Sequence, residues 1–337
     1  MTRKQDRSRY PLPPARTTVD GASRRIGVEI ELIGPGVPEV ARVVSEHTGG
    51  EAQSVSRYEY EVGGDEAGTW RVEIDQELLK KMGRERESRD EPLPLLDEAA
   101  EELLRFGSEL LVPVEIVSPP LPMERLPEFD RLTGALREAG AKGTGANPAY
   151  AFGLQFNPEL PALDADTVTR YLKAFLCLYD WLKSRSQVDA TRKLTGFAKP
   201  FPADYVRRVV NPGYRPDLAA LMDDYLRDNP TRNRALDMLP LFAHLDEDRV
   251  RAAVEDSRIK ARPTLHYRLP NSELGRADWG VFVAWGDWLE VERLACDRKR
   301  LDDICGAYHE LLKQPLGGML ADWAGECEQW LKNSAGQ

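Results

Sequence analysis

The chain has 337 residues, 42% of them hydrophobic, and a formal net charge of −10. That length can bury a sizeable core in one large domain or two modest ones, and the acidic balance argues against a general nucleic-acid binder, which neutralises phosphates with a broad cationic surface. No apolar run approaches the ~20 residues that span a bilayer and the N-terminus lacks the apolar core of a secretory signal, so a cytoplasmic protein without a membrane partner is expected.

Met1 to about Ser23 combines Arg3, Lys4, Arg7, Arg9 and Arg16 with Pro11, Pro13 and Pro14. It reads as a disordered basic tail, which leaves residues 24–334 as one domain. Period-two alternation predicts strands near Arg25–Ile33, Ser54–Val62, Thr69–Gln76, Leu110–Ser118, Tyr150–Asn157 and Thr264–Leu269. Apolar spacing of three and four predicts helices over Pro38–His47, Pro94–Phe106, Leu126–Ala139 and Ala165–Lys183. Further helices are expected at Leu218–Arg227, Glu247–Ser257, Ala277–Cys296, Lys299–Leu312 and Leu316–Lys332. Gly83–Asp90 reads as a surface loop. Strands concentrated early and helices late make an α+β fold. Cys177, Cys296, Cys305 and Cys327 form no C-x-x-C pair and are expected to be buried thiols.

What the strands carry on their second face is informative. In Gly27-Val28-Glu29-Ile30-Glu31-Leu32, period two puts Val28, Ile30 and Leu32 on one side and Glu29 and Glu31 on the other. The split recurs: Val72 and Ile74 oppose Arg71, Glu73 and Asp75; Val114 and Ile116 oppose Glu115; Leu154 and Phe156 oppose Gln155 and Asn157; Leu265 and Tyr267 oppose His266 and Arg268. An antiparallel sheet with one wet face explains any single strand of this kind. Carboxylates gathered on adjacent strands repel, however, unless a cation compensates, and oxygen donors without a Cys or His cluster select Mg²⁺ or Mn²⁺ over zinc.

These segments also resemble a known family. Gly27-Val28-Glu29-Ile30-Glu31, Trp70-Arg71-Val72-Glu73-Ile74-Asp75 and Glu115-Ile116-Val117-Ser118-Pro119-Pro120-Leu121 look like successive motifs of the amidoligases, relatives of glutamine synthetase and glutamate–cysteine ligase. Gly153-Leu154-Gln155-Phe156-Asn157 occupies the place of the family's Gly-x-His-x-His strand. Arg192 to Pro200 resembles the basic segment that follows it, and Thr264-Leu265-His266-Tyr267-Arg268 resembles the late T-x-E-x-R strand. The resemblance implies a glutamine-synthetase-like antiparallel sheet with a carboxylate-lined face, backed by helices, with a helical C-terminal part. It further implies an ATP-dependent carboxylate-amine ligase acting through an acyl phosphate on a small-molecule or peptide carboxylate and an amine.

By motif position the resemblance assigns Glu29, Glu31 and Glu115 to metal, with Glu73, on the same face, a second-rank candidate and the amides Gln155 and Asn157 as weaker ligands. Asp75 is a metal or amine contact, and Arg268 contacts the transferred phosphate. Arg192, Lys199 and Arg262 are phosphate candidates that serve equally well as surface ion-pair partners. His266 stands where the family often has glutamate, as a proton carrier or ligand, although a histidine merely hydrogen-bonded on the sheet is the commoner outcome. The replaced His and Glu positions keep open an inactive ligase-fold protein that binds nucleotide or a partner. Residue type alone also allows a two-carboxylate glycosidase, which motif order does not support. His47, His244 and His309 read as structural. Trp279, Trp285, Trp288, Trp323 and Trp330 would suit a homo-oligomer interface, with packing inside the monomer the commoner role.

Overall fold

The structure, a computed structural model, describes residues 7–56, 58–74, 113–144, 153–186, 199–314 and 322–332. Asp75, Arg192, the Gly83–Asp90 loop and the Pro94–Phe106 helix lie outside the described residues. Ten α-helices and nine strands are described, in an α+β arrangement.

The strands are β1 (Arg25–Leu32), β2 (Ala52–Ser56), β3 (Glu59–Asp65), β4 (Gly68–Ile74), β5 (Val114–Val117), β6 (Leu121–Pro122), β7 (Leu154–Pro158), β8 (Leu236–Asp237) and β9 (His266–Tyr267). One sheet joins them in the order β2-β3-β4-β5-β1-β7-β9-β8, with β6 on β1, and every pairing is antiparallel. The stretch expected as a single strand over Ser54–Val62 turns between Ser56 and Glu59, giving the β2–β3 hairpin. Gly50 makes this hairpin possible, because a Cβ there would lie 1.7 Å from the Gly63 carbonyl oxygen. The short strand β8 was not foreseen: two residues are too few to show a period.

β1 lies in the middle of the sheet, so its alternation sorts residues between helices and cleft. Ile26, Val28, Ile30 and Leu32 are fully buried with Val72, Ile116, Leu154 and Phe156. Burial of each such side chain contributes ~1.5–3 kcal/mol, which fixes the register because a one-residue slip would bring Glu29 and Glu31 into the core.

The helices are α1 (Val37–Thr48), α2 (Phe129–Glu138), α3 (Ala165–Arg185), α4 (Ala203–Val209), α5 (Leu218–Asp228), α6 (Leu239–Leu245), α7 (Glu247–Ala253), α8 (Val281–Cys296), α9 (Arg298–Lys313) and α10 (Trp323–Lys332). α1 stops at Gly49, whose φ of 74° only glycine adopts readily. Asp164, Asp217, Asp246 and Asp297 each cap the helix that follows by accepting a backbone N–H. α3 packs against α8, α9 and α10. Trp285 and Trp288 of α8 meet Phe156 and Tyr267 of the sheet inside the monomer. Cys177, Cys305 and Cys327 are buried free thiols, with the first two sulfurs 3.6 Å apart.

A buried charge network ties the layers. The Arg24 guanidinium donates to both carboxylate oxygens of Glu292, at 2.9 and 2.8 Å, while Tyr171 and Trp288 donate to the same carboxylate. Arg24 also donates to the Ala15 carbonyl at 2.7 Å.

That last contact corrects the expectation of a solvated tail for its described part. Tyr10 is buried and donates to Asp130 at 2.6 Å, Arg9 stacks over the Phe282 ring, and Trp285 donates to the Pro11 carbonyl at 2.8 Å. Low apolar content misled because one tyrosine supplies the anchor, and backbone carbonyls, which composition does not register, supply the rest.

Candidate active site

The polar face of the sheet forms the floor of an open cleft of about 470 Å³. Register aligns four carboxylates across four neighbouring strands, because Glu59 pairs with Glu73, Glu73 with Glu115, and Glu115 with Glu31. The next row on the same face pairs Arg71 with Val117, Val117 with Glu29 and Glu29 with Gln155. Directly opposed side chains in such ladders have Cβ atoms ~4.5–5.5 Å apart, so the carboxylates are electrostatic neighbours.

Two amides on β7 sit against this acidic row. Gln155 Nε2 donates to Glu31 Oε1 at 3.1 Å and to Glu115 Oε1 at 3.4 Å, while the Gly153 N–H donates to Glu31 Oε2 at 2.6 Å. Asn157 Nδ2 donates to Glu29 Oε1 at 2.8 Å, and its Oδ1 is buried without a hydrogen-bond partner among the described residues. Gly27 lies opposite Asn157 in the ladder.

Behind Gln155 stands His266 on β9. Because the Gln155 nitrogen faces carboxylates, its Oε1 is the acceptor in the 2.7 Å contact with His266 Nε2, so that ring nitrogen carries the proton. The ring is held neutral: burial, followed by Arg262, Arg268 and Arg232, pushes its pKa well below the usual histidine value. Its Nδ1 lies 3.5 Å from Oδ2 of Asp237, a fully buried carboxyl on β8 paired with it in register. Burial raises the Asp237 pKa to about 6, against the opposing pull of Arg268, Arg232 and Arg262.

The cleft is also lined by cations. Arg232, Arg258, Lys260, Arg262 and Arg268 line the same cleft as the four-carboxylate row. Arg262 lies 3.7 Å from Glu29, and Arg268 donates to the Arg232 carbonyl at 2.6 Å.

Of the residues singled out in the sequence, Glu29, Glu31, Glu73, Glu115, Gln155, Arg262, His266 and Arg268 line this one cleft, and Asn157 hydrogen-bonds to its edge through Glu29. Lys199 is exposed, bridges to Arg234 and is not among the lining residues. Sequence reasoning missed Glu59, Asp237, Arg232, Arg258 and Lys260. For the last two the signal was the cation-rich stretch Arg258-Ile259-Lys260-Ala261-Arg262 just before the late strand, whereas nothing around Asp237 distinguishes it from a helix cap.

The donor set fits a hard divalent cation. It is rich in carboxylate oxygen, it includes the Gln155 amide, and it contains no thiolate. Among the described residues no three His, Cys, Asp or Glu side chains already converge to hold an ion.

An α+β fold with an acid-floored, cation-walled cleft on an antiparallel sheet is the class of protein these observations define. The sequence pattern of the family described as "putative amidoligase enzyme" matches residues 22–290, and the chain belongs to that family. Membership makes it a ligase-type enzyme. No match to a curated protein or to a solved structure was found. Among the described residues no helix is long and apolar enough to cross a membrane.

Proposed function

We propose that this protein is an ATP-dependent carboxylate-amine ligase that forms an amide through an acyl phosphate, on a glutamine-synthetase-like sheet. The observation that carries the reading is the juxtaposition of the acidic row with a wall of five cations in one cleft, the arrangement required to hold a divalent metal and a polyphosphate side by side. Bound Mg²⁺ or Mn²⁺ with ATP would supply a phosphoryl group that activates the substrate carboxylate, after which an amine displaces phosphate.

Glu29, Glu31, Glu73 and Glu115 hold the cation, with Gln155 and Asn157 beside them. Arg268 and Arg262, joined by Arg232 and Lys260, hold the phosphates and exclude bulk water from their oxygens. His266, neutral and backed by Asp237, fixes the direction in which Gln155 points. Asp75, next in sequence after β4, keeps its proposed contact with the amine. The acid and the amine are small molecules or peptide ends, with no role for nucleic acid or membrane.

Hydroxylamine tests the reaction directly, because it attacks any acyl phosphate and leaves a stable hydroxamate. A panel of amino acids and short peptides, each offered with ATP, Mg²⁺ and hydroxylamine, should yield hydroxamate and stoichiometric phosphate with at least one acid. Arg268→Ala should abolish both products. Hydroxamate formed equally well by Arg268→Ala, or without ATP, would contradict the assignment.

A further inference from the structure

A second pocket, of about 370 Å³, lies in the helical layer and shares none of its lining residues with the acidic cleft. It is walled by the first turns of α3, the start of α9 and the segment Tyr214–Pro216. Two polar side chains one helical turn apart on α3, Thr169 and Lys173, are among its lining residues. Both are almost fully buried, at 5% and 3% exposure. The Thr169 hydroxyl has no hydrogen-bond partner among the described residues. The Lys173 ammonium has three protons to donate and one acceptor among the described residues, the Asn211 carbonyl at 3.0 Å.

Such a pair is unusual inside a protein, since a desolvated ammonium and an unpaired buried hydroxyl each destabilise the fold unless something satisfies them. Desolvation lowers the Lys173 pKa, with Arg215 adding to it and Cys305 and Asp302 opposing it. The surroundings add positive charge rather than neutralise it. Arg170, Arg215 and Arg298 join Lys173 at the pocket, against the two carboxylates Asp166 and Asp302. Asp166 is engaged by Arg170 and Arg298 and Asp302 by Arg215, and among the described residues no carboxylate lies within ion-pair distance of the Lys173 ammonium. The Arg298 and Arg215 side chains are more than half exposed and can turn toward the pocket mouth without unfolding anything.

We propose that this pocket is a binding site for the oxyanion group of a small phosphorylated metabolite, with the Lys173 ammonium and Thr169 hydroxyl as its floor and Arg298 and Arg215 as its rim. An oxyanion satisfies both buried donors at once, supplies the missing counter-charge, and is small enough to leave room for the rest of the metabolite within the pocket volume. The site does not depend on the ligase reading, because no residue of the acidic cleft takes part.

The experiment uses the full chain and inorganic phosphate, with EDTA present and ionic strength held constant with sodium chloride. Phosphate should raise the melting temperature of the wild type in a saturable manner, since a ligand bound only to the native state stabilises it by mass action. Lys173→Met should weaken phosphate binding, measured by calorimetry, by roughly tenfold or more, and Thr169→Val by several-fold. Arg298→Gln, which leaves the buried floor untouched, keeps the test decisive if Lys173→Met fails to fold, and should also weaken binding several-fold. Arg268→Ala, made in the acidic cleft, reports any phosphate bound there, and the Lys173-dependent part of the response should survive it. The proposal is overturned if phosphate does no more than chloride, or if Arg298→Gln binds as tightly as the wild type, or if Arg268→Ala alone removes the response. It is equally overturned if Lys173→Met folds and binds unchanged, which would make Lys173 a neutral amine satisfied by the Asn211 carbonyl.

Discussion

Glu31 and Glu115 face each other across the β1–β5 ladder, and the single amide nitrogen of Gln155 reaches both carboxylates, at 3.1 and 3.4 Å. Register sets these two carboxylates side by side, and under the proposed function a divalent cation completes the arrangement.

Glu115→Gln keeps the shape and removes one negative charge from the row. In the absence of ligand and metal it should raise the stability by about 1 kcal/mol, readable as a higher urea midpoint at an unchanged slope. A lower midpoint would mean that the crowded carboxylate contributes more to the apo fold than it costs.

Asp237 gives a pH signature. Its carboxyl in the native state titrates near 6, above the ordinary aspartate value, so between about pH 4 and pH 6 the native state holds more proton than the unfolded chain. Its contribution is therefore fully present at low pH and is lost as pH rises through 6. Relative to Asp237→Asn, the wild type should lose about 2 kcal/mol of stability between pH 4.5 and pH 7.5. A stability difference between the two that does not change across that range would show that Asp237 is ionised throughout.

The docked N-terminal segment should hold the body together. Tyr10→Ala removes a buried ring set edge-on to Phe282 and the hydrogen bond to Asp130, and should cost roughly 3 kcal/mol. Deleting residues up to Ser23 should lower the melting temperature by several degrees, and no change would mean that the segment does not dock in solution.

The Arg24–Glu292 pair should behave as a buried ion pair does. Glu292→Ala leaves the guanidinium buried and uncompensated, with Tyr171 and Trp288 unpaired, and should cost about 3–5 kcal/mol. Arg24→Met with Glu292→Leu should recover much of that loss. If the double variant is as unstable as the sum of the singles, the pair is not coupled.

Most of the sheet and its polar face were legible in the sequence because β1, β4, β5 and β7 each carry a period of two. In Val28 through Leu32 the apolar and acidic residues alternate without a break, so the face holding Glu29 and Glu31 follows from covalent geometry alone. What pairs with what was not legible. The row from Glu59 to Glu31 depends on register across four strands, and Glu59 fell inside what reads as one continuous strand, Ser54–Val62. Asp237 was invisible for a related reason: its role comes from burial behind His266, a contact between strands of two residues each. The cationic wall comes from irregular chain around Arg232 and Arg258–Arg262, where no period constrains the direction of a side chain.

The central claim is that the acidic row and the cationic wall together hold a metal–nucleotide complex, and the most direct test is the melting temperature with ATP, with and without Mg²⁺. The wild type should be stabilised by ATP only when Mg²⁺ is present, by about 3 kcal/mol at a hundredfold excess over the dissociation constant. Both Glu31→Gln and Arg268→Ala should fold and lose that stabilisation. ATP that stabilises equally without Mg²⁺, or a metal-dependent effect that survives both substitutions, would contradict the account.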